Sequence, residues 1–297
     1  MKQYELKKVT LKNGETLAYR ETGAGENVLL IHGNMSSSVH WQTAMEQLEG
    51  KYHVVAPDMR GFGDSTYHNR FDSLKELAED IAQFVDAVGL TTFYAVGWST
   101  GGGVVLELAA ELPGRVKKAV LLDTVPVTGY PMFKKDASGQ PILTELLKTK
   151  EEIEADPVQV APVLQAYAAK DGATMRAIWN AVIYNLHQPE EADYSQYIDA
   201  ILQQRNLVDI DYSLLHFNMT DAPTGSAPGS GRLNLVKCPI VLLHGEKDMV
   251  VPFTWVKEMH EKYVDRMALI TFENAGHSVL TDDLDLFCTT LKQVLQG

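Results

Sequence analysis

The stretch Gly97-Trp98-Ser99-Thr100-Gly101 places a serine between two glycines, each two residues away. The apolar run Phe93 to Val96 precedes it, and Gly102-Gly103-Val104-Val105-Leu106-Glu107-Leu108-Ala109 follows in a helical pattern. A serine on so sharp a strand-to-helix turn needs small neighbours, because the strained backbone packs closely against adjacent elements. That context marks Ser99 as a nucleophile. A hydroxyl is weakly nucleophilic at neutral pH, so a base must lie within hydrogen-bond reach. Among nine histidines, only His277 follows the last strand-like run with a flexible glycine before it, in Asn274-Ala275-Gly276-His277-Ser278. Its loop is expected at the same sheet edge as Ser99.

A third member should be an acid leaving a late strand, and Leu242-Leu243-His244-Gly245-Glu246-Lys247-Asp248 supplies it as Asp248. The order Ser, Asp, His along the chain then matches one of the known triad orders. Glu246 and Asp123 compete for the role. Glu246 reads as a solvated loop charge and Asp123 as a helix or turn cap. The acid would hold the imidazole tautomer and stabilise the imidazolium without accepting the proton itself. Oxyanion stabilisation calls for two backbone N–H donors. Thr100, which follows the nucleophile and opens a helix, supplies one. Ile31-His32-Gly33-Asn34-Met35-Ser36 supplies the other through Asn34 or Met35, with Asn34 preferred and Met35 placed at the substrate. His32 and Gly33 shape that loop. Chemistry of this kind calls for no cofactor and no metal.

These residues need a rigid frame. Short continuous apolar runs recur at Val28 to Ile31, Val54 to Ala56, Phe93 to Val96, Ala119 to Leu122, Ile240 to Leu243 and Ala268 to Phe272. Runs of this kind suit strands of a parallel sheet buried on both faces. Tyr4 to Glu21 reads as an edge hairpin turning at Asn13-Gly14. Leu74, Leu77, Ile81, Phe84, Val85 and Val88 follow helical spacing, with Ser73 and Glu76 as a capping box and Gly89 as the stop. The fold class is therefore α/β, a mostly parallel eight-stranded sheet flanked by helices. Residues 1–125 and 233–297 form the core on this reading. Residues 126–232 are expected to be an inserted helical cap without strands, rejoining the core through the Pro-, Gly- and Ser-rich stretch Asp221 to Gly231.

Composition narrows the partners. With 297 residues, 45% apolar and 22% charged, the chain can build a sizeable core. A net charge of −13 repels nucleic acid and anionic membranes, which favours a neutral substrate. The chain opens Met1-Lys2-Gln3-Tyr4-Glu5 with no apolar leader and has no run long enough for a membrane span, so a cytoplasmic address is expected. Cys238 and Cys288 are too few for a disulfide framework or a zinc cluster and read as buried small hydrophobes. Oligomeric state has no signal here.

Together the motifs resemble the α/β-hydrolase superfamily across the whole chain apart from the cap. Asp58-Met59-Arg60-Gly61-Phe62-Gly63-Asp64-Ser65 resembles that superfamily's structural turn after the fourth strand. Serine at 99 departs from the haloalkane dehalogenases and epoxide hydrolases, which carry aspartate there. Gly97 to Gly103, with Gly129-Tyr130-Pro131-Met132-Phe133-Lys134-Lys135-Asp136, is similar to the intracellular polyhydroxybutyrate depolymerases of Bacillus. That resemblance implies hydrolysis of short-chain 3-hydroxyacyl esters, as oligomers or polymer. Trp98 then lines the acyl pocket, with packing under the cap as its competing role. The same triad would serve a lactonase, aryl esterase, amidase or perhydrolase. A ligand receptor without turnover is disfavoured by three filled triad positions.

Overall fold

The computed structural model describes residues 1–297. Its strands are β1 (Lys7–Thr10), β2 (Thr16–Thr22), β3 (Glu26–Ile31), β4 (Tyr52–Pro57), β5 (Phe93–Trp98), β6 (Val116–Leu122), β7 (Phe133–Lys135), β8 (Pro141–Leu146), β9 (Ile240–Gly245) and β10 (Met267–Phe272). Eight of them form one sheet in the order β1-β2-β4-β3-β5-β6-β9-β10. β2 runs antiparallel to both its neighbours, and every other pair is parallel. Val28, Leu29, Leu30 and Ile31 on β3 are all fully buried, as strands covered on both faces must be. Each such side chain contributes roughly 1.5–3 kcal/mol by leaving water.

The helices of the first half are α1 (Gln42–Leu48), α2 (Leu74–Ala87) and α3 (Thr100–Glu111). Ser73 caps α2 by accepting from the Glu76 N–H at 3.3 Å. The expected reciprocal bond differs: Glu76 Oε1 accepts from the Asp72 N–H instead. Gly89 ends this segment at φ +76°, a left-handed conformation that glycine adopts without strain. A buried bidentate pair, Arg60 to Asp80 at 2.7 and 2.8 Å, ties the turn after β4 to α2.

Between β6 and β9 lie α4 (Lys150–Glu154), α5 (Ala161–Ala169), α6 (Gly172–Val182), α7 (Glu191–Ile201) and α8 (Leu207–Leu215). The expectation that 126–232 lacks strands is corrected here, because β7 and β8 form a separate antiparallel hairpin. Its strands are half-buried or exposed and mix Lys, Thr and Glu with the apolar residues, so no continuous apolar run marks them. α8 is tied to the rest of the chain by Asp209, whose buried carboxylate accepts from Tyr67, Arg70 and Lys150. Asn206 adds a bond from Nδ2 to the Arg60 carbonyl at 2.7 Å.

The chain closes with α9 (Phe253–Lys262), α10 (Val279–Asp282) and α11 (Leu284–Gln296). Cys288 is buried, whereas Cys238 is only half-buried, a departure from its expected burial. No helix is long and apolar enough to cross a membrane. β3 connects to β4 on one side of itself, and β4 then crosses to β5 on the other. In open α/β sheets such a switch leaves a crevice at the carboxyl ends of the strands, where ligands bind.

Candidate active site

Ser99 stands in that crevice, between β5 and α3. Its backbone is held at φ 55°, ψ −122°, a costly conformation for a residue with a side chain. The sequence around it allows this turn. A Cβ at Gly97 would overlap the Gly101 carbonyl, and one at Gly101 would overlap the Ile31 and His32 carbonyls of the neighbouring loop. The Ser99 N–H donates to the Leu122 carbonyl at 2.8 Å, fixing the turn against β6.

His277 lies in the loop between β10 and α10 and is almost fully buried. Its Nε2 is 3.0 Å from Ser99 Oγ, and its Nδ1 is 2.7 Å from Asp248 Oδ2. The loop approaches β9 so closely that a Cβ at Gly245 would meet the Gly276 carbonyl. Asp248 follows β9, and its other oxygen accepts from the Val250 and Val251 N–H groups at 2.7 and 2.9 Å. Burial alone would raise the Asp248 carboxyl, but the charge and hydrogen bond of His277, the charge of His244 and the Val251 N–H outweigh it. The net result holds Asp248 below its ordinary value.

The two competing acids are placed elsewhere. Glu246 is exposed on the loop, a solvated charge. Asp123 is fully buried at the end of β6 and accepts from the Gly245 N–H of β9 at 2.9 Å, so it bridges two strands. Burial and the nearby Asp248 charge push Asp123 well above the usual carboxylate range. Two neighbouring carboxyls shifted in opposite directions divide the roles, with the charged one facing the imidazole. His244 separates them. Burial lowers its pKa to about 4, and its Nε2 donates to the Val251 carbonyl at 3.1 Å. Ligating atoms of Asp123, His244 and Asp248 lie within 4.8 Å of one another. Asp248 is already bonded to His277 and two N–H groups, which leaves only His244 and Asp123 to offer a cation.

Thr100 is the first residue of α3, so its N–H has no preceding turn to bond and points out of the helix start. In the loop after β3, the Met35 N–H is taken by Asn34 Oδ1 and Gln204 Oε1 at 2.9 and 3.1 Å. The Asn34 N–H has no protein acceptor. Asn34 and Thr100 are therefore the available pair of donors, and Met35 is spent on its own loop. His32 holds that loop from beneath, with Nδ1 2.8 Å from the Gly33 carbonyl and Nε2 accepting from the Met59 N–H at 3.0 Å.

A cavity of about 320 Å³ opens over Ser99, His277, Asn34, Met35 and Thr100. Its walls are mostly apolar, with Met132, Ile178 and Ile183 supplied by the segment between β6 and β9. A second cavity of about 520 Å³ lies between the β7–β8 hairpin and α9 and contains none of these groups. Trp98 does not line the cavity, which corrects its expected place in an acyl pocket. It is buried, and its Nε1 donates to the His277 carbonyl at 2.7 Å. Trp98 thus takes its competing role, packed edge-on against Trp179 of α6 with ring centroids 6.3 Å apart, and its bond to the His277 carbonyl positions the histidine loop.

Among the lining residues that escaped sequence reading is an acid. Asp211 of α8 is about nine-tenths buried in the cavity wall and accepts from Asn34 Nδ2 at 3.0 Å. Nothing in its spacing sets it apart from any polar helix residue, and Asn34 is far from it in sequence. Gln204 completes the network by donating to Asn34 Oδ1 at 2.8 Å.

Residues 26–284 match the family described as alpha/beta hydrolase fold. The chain is 26% identical over 289 residues to lipase 1 of Psychrobacter immobilis, spanning 95% of this chain and 81% of that one. It is 27% identical over 286 residues to a bifunctional esterase/perhydrolase of Acinetobacter calcoaceticus, spanning 93% and 95%. Among solved structures, an esterase from Exiguobacterium antarcticum superposes with a TM-score of 0.75 at 20% identity, covering 98% of this chain and 99% of that one.

Proposed function

We propose, for a chain that belongs to the alpha/beta hydrolase fold family, that Ser99, His277 and Asp248 hydrolyse carboxylic esters through an acyl-enzyme. The observation that carries this reading is the unbroken hydrogen-bonded line Ser99 Oγ, His277 Nε2, His277 Nδ1, Asp248 Oδ2 at the floor of an apolar cavity.

The chemistry follows from the geometry. Ser99 Oγ attacks the ester carbonyl while its proton passes to His277 Nε2. Negative charge gathers on the carbonyl oxygen, within reach of the Asn34 and Thr100 N–H groups, and the α3 dipole favours it further. Asp248 faces the Nδ1–H and stabilises the imidazolium. His277 returns the proton to the departing alcohol. Water, activated by the same imidazole, then cleaves the acyl-enzyme and restores Ser99.

Residues 126–232 act as a cap on this reading, over a core made of 1–125 and 233–297. The cap's side chains complete the acyl wall, so they set specificity. The finer substrate proposal is short-chain 3-hydroxyacyl esters, as oligomers or polyhydroxybutyrate. A wall with few polar groups and a volume of about 320 Å³ suits an acyl chain of this size. The relative from Acinetobacter supports a second reading, in which hydrogen peroxide replaces water at the acyl-enzyme and a peracid leaves.

The test is hydrolysis of a p-nitrophenyl ester series, aryl acetates, a lactone, an anilide and the 3-hydroxybutyrate dimer and trimer, with Ser99→Ala beside the wild type. Ser99-dependent cleavage of the hydroxybutyrate oligomers above the simple esters is the expected result. Cleavage of simple esters alone would remove the polymer-derived substrate and keep the esterase. Hydrolysis that survives Ser99→Ala would remove both.

A further inference from the structure

The cavity holds one acid that the mechanism does not use. Asp211 Oδ1 accepts from Asn34 Nδ2, whereas Oδ2 has no protein partner. That oxygen is not sealed either: it keeps some exposure in the cavity wall, although the residue is about nine-tenths buried. No Lys or Arg lines the cavity, and Asp211 enters no ion pair. An acid kept in an apolar wall without a cation and with one oxygen open to the cavity is costly unless a ligand uses it.

Its position relates it to the reacting carbonyl. Asn34 offers its main-chain N–H to the oxyanion and its side-chain amide to Asp211. Four covalent bonds separate those two nitrogens, so they lie at most about 5 Å apart. Asp211 Oδ1 is 3.0 Å beyond the second. The carboxyl therefore lies within about 8 Å of the N–H that would face the oxyanion, within reach of the first carbons of an acyl chain.

We propose that Asp211 is a specificity residue that hydrogen-bonds a hydroxyl carried by the acyl chain near the scissile carbonyl, which rests on the reading of Ser99 as an ester-cleaving nucleophile. A hydroxyl both donates and accepts, so it can pair with Oδ2 in either protonation state. Burial, helped by the nearby Asp156 charge and opposed by the Asn34 bond, raises this carboxyl to about 7, which is consistent with a group that has no cationic partner. The rest of the wall offers less. The Tyr130 hydroxyl is engaged with the Val250 carbonyl at 2.9 Å, and Gln159 Oε1 accepts from Lys135 at 3.0 Å. Chains lacking the hydroxyl would leave Oδ2 desolvated and unpaired, the arrangement by which sites reject such analogues.

The test compares kcat/KM for ethyl 3-hydroxybutyrate, ethyl butyrate and ethyl 3-aminobutyrate by pH-stat, for wild type, Asp211→Ala and Asp211→Asn. Wild type should favour the hydroxy ester over butyrate by about tenfold or more. Asp211→Ala should bring that ratio close to one, and Asp211→Asn, whose amide can still bond a hydroxyl and Asn34, should keep most of it. A melting curve for each variant checks that it is folded. An unchanged ratio in Asp211→Ala, an equal fall on both esters, or a preference for the amino ester would overturn the assignment. Equal loss would mean that Asp211 acts only through Asn34. Absence of Ser99-dependent hydrolysis on any of these esters would instead sink the esterase reading beneath it.

Discussion

Replacing Asp248 with asparagine should disable the base without disturbing the frame. In the wild type one carboxylate oxygen receives the Val250 and Val251 N–H groups and the other faces His277 Nδ1 at 2.7 Å. An amide has only one acceptor oxygen. The two buried N–H groups claim it, because turning the NH2 toward them would set donor against donor. The NH2 must then face Nδ1, which has to accept, and the ring proton moves to Nε2. There it points at Ser99 Oγ, 3.0 Å away, and the imidazole can no longer take the serine's proton. A wrong tautomer in a triad costs about ten-thousandfold in turnover. Steady-state hydrolysis of p-nitrophenyl butyrate at neutral pH would read this, with thermal unfolding as the check on folding. Asp123→Asn is the matched control: its carboxyl is pushed well above the usual carboxylate range and does not face His277, so kcat should stay within about tenfold of wild type. Retention of wild-type turnover by Asp248→Asn, or a larger loss from Asp123→Asn, would refute the assignment of the acid.

Asp211 links stability to pH. Below about pH 4 both folded and unfolded chains hold its proton. From there to about 7 the unfolded chain releases the proton and the folded one keeps it, so stability falls as pH rises and levels above 7. The penalty is at most about 4 kcal/mol, and Asp211→Asn should remove it. The Tm difference between variant and wild type should therefore grow from pH 4 to 7; a difference constant with pH would contradict the shift. Trp98→Phe removes the donor to the His277 carbonyl, which should cost about 1–3 kcal/mol of stability. Its kcat should fall about tenfold with KM little changed, and an unchanged kcat would deny Trp98 a positioning role. Arg60→Met leaves Asp80 buried without its partner and should destabilise by about 3–5 kcal/mol in urea unfolding; a loss under 1 kcal/mol would argue against it.

The inner parallel strands were readable because both faces of the sheet are buried there, so each appears as an uninterrupted apolar run; β10, at the edge, shows such a run although most of its side chains reach solvent. The β7–β8 hairpin was not, because Phe133-Lys134-Lys135 and Pro141-Ile142-Leu143-Thr144-Glu145-Leu146 keep one side in solvent and carry no such run. Ser99 was legible from the glycines whose Cβ atoms would collide with the turn. His277 and Asp248 were legible from loop position after late strands. Between Asp248 and Asp123, however, spacing could not assign a charge state, since that depends on burial and on each carboxyl's partners. Trp98 next to the nucleophile looked like a pocket residue, but sequence adjacency on a strand end says little about which way an indole packs. Asp211 shows the deepest limit. Its meaning comes from a bond to Asn34 formed only when α8 folds back over the β3 loop.

The account turns on Ser99 as the atom that becomes covalently acylated. Incubation with an alkyl fluorophosphonate, followed by intact mass and peptide mapping, tests this directly. One adduct per chain, located on Ser99 and absent from Ser99→Ala, with esterase activity lost in proportion to labelling, is the predicted result. Labelling elsewhere with loss of activity, or full activity in a chain labelled at Ser99, would contradict it.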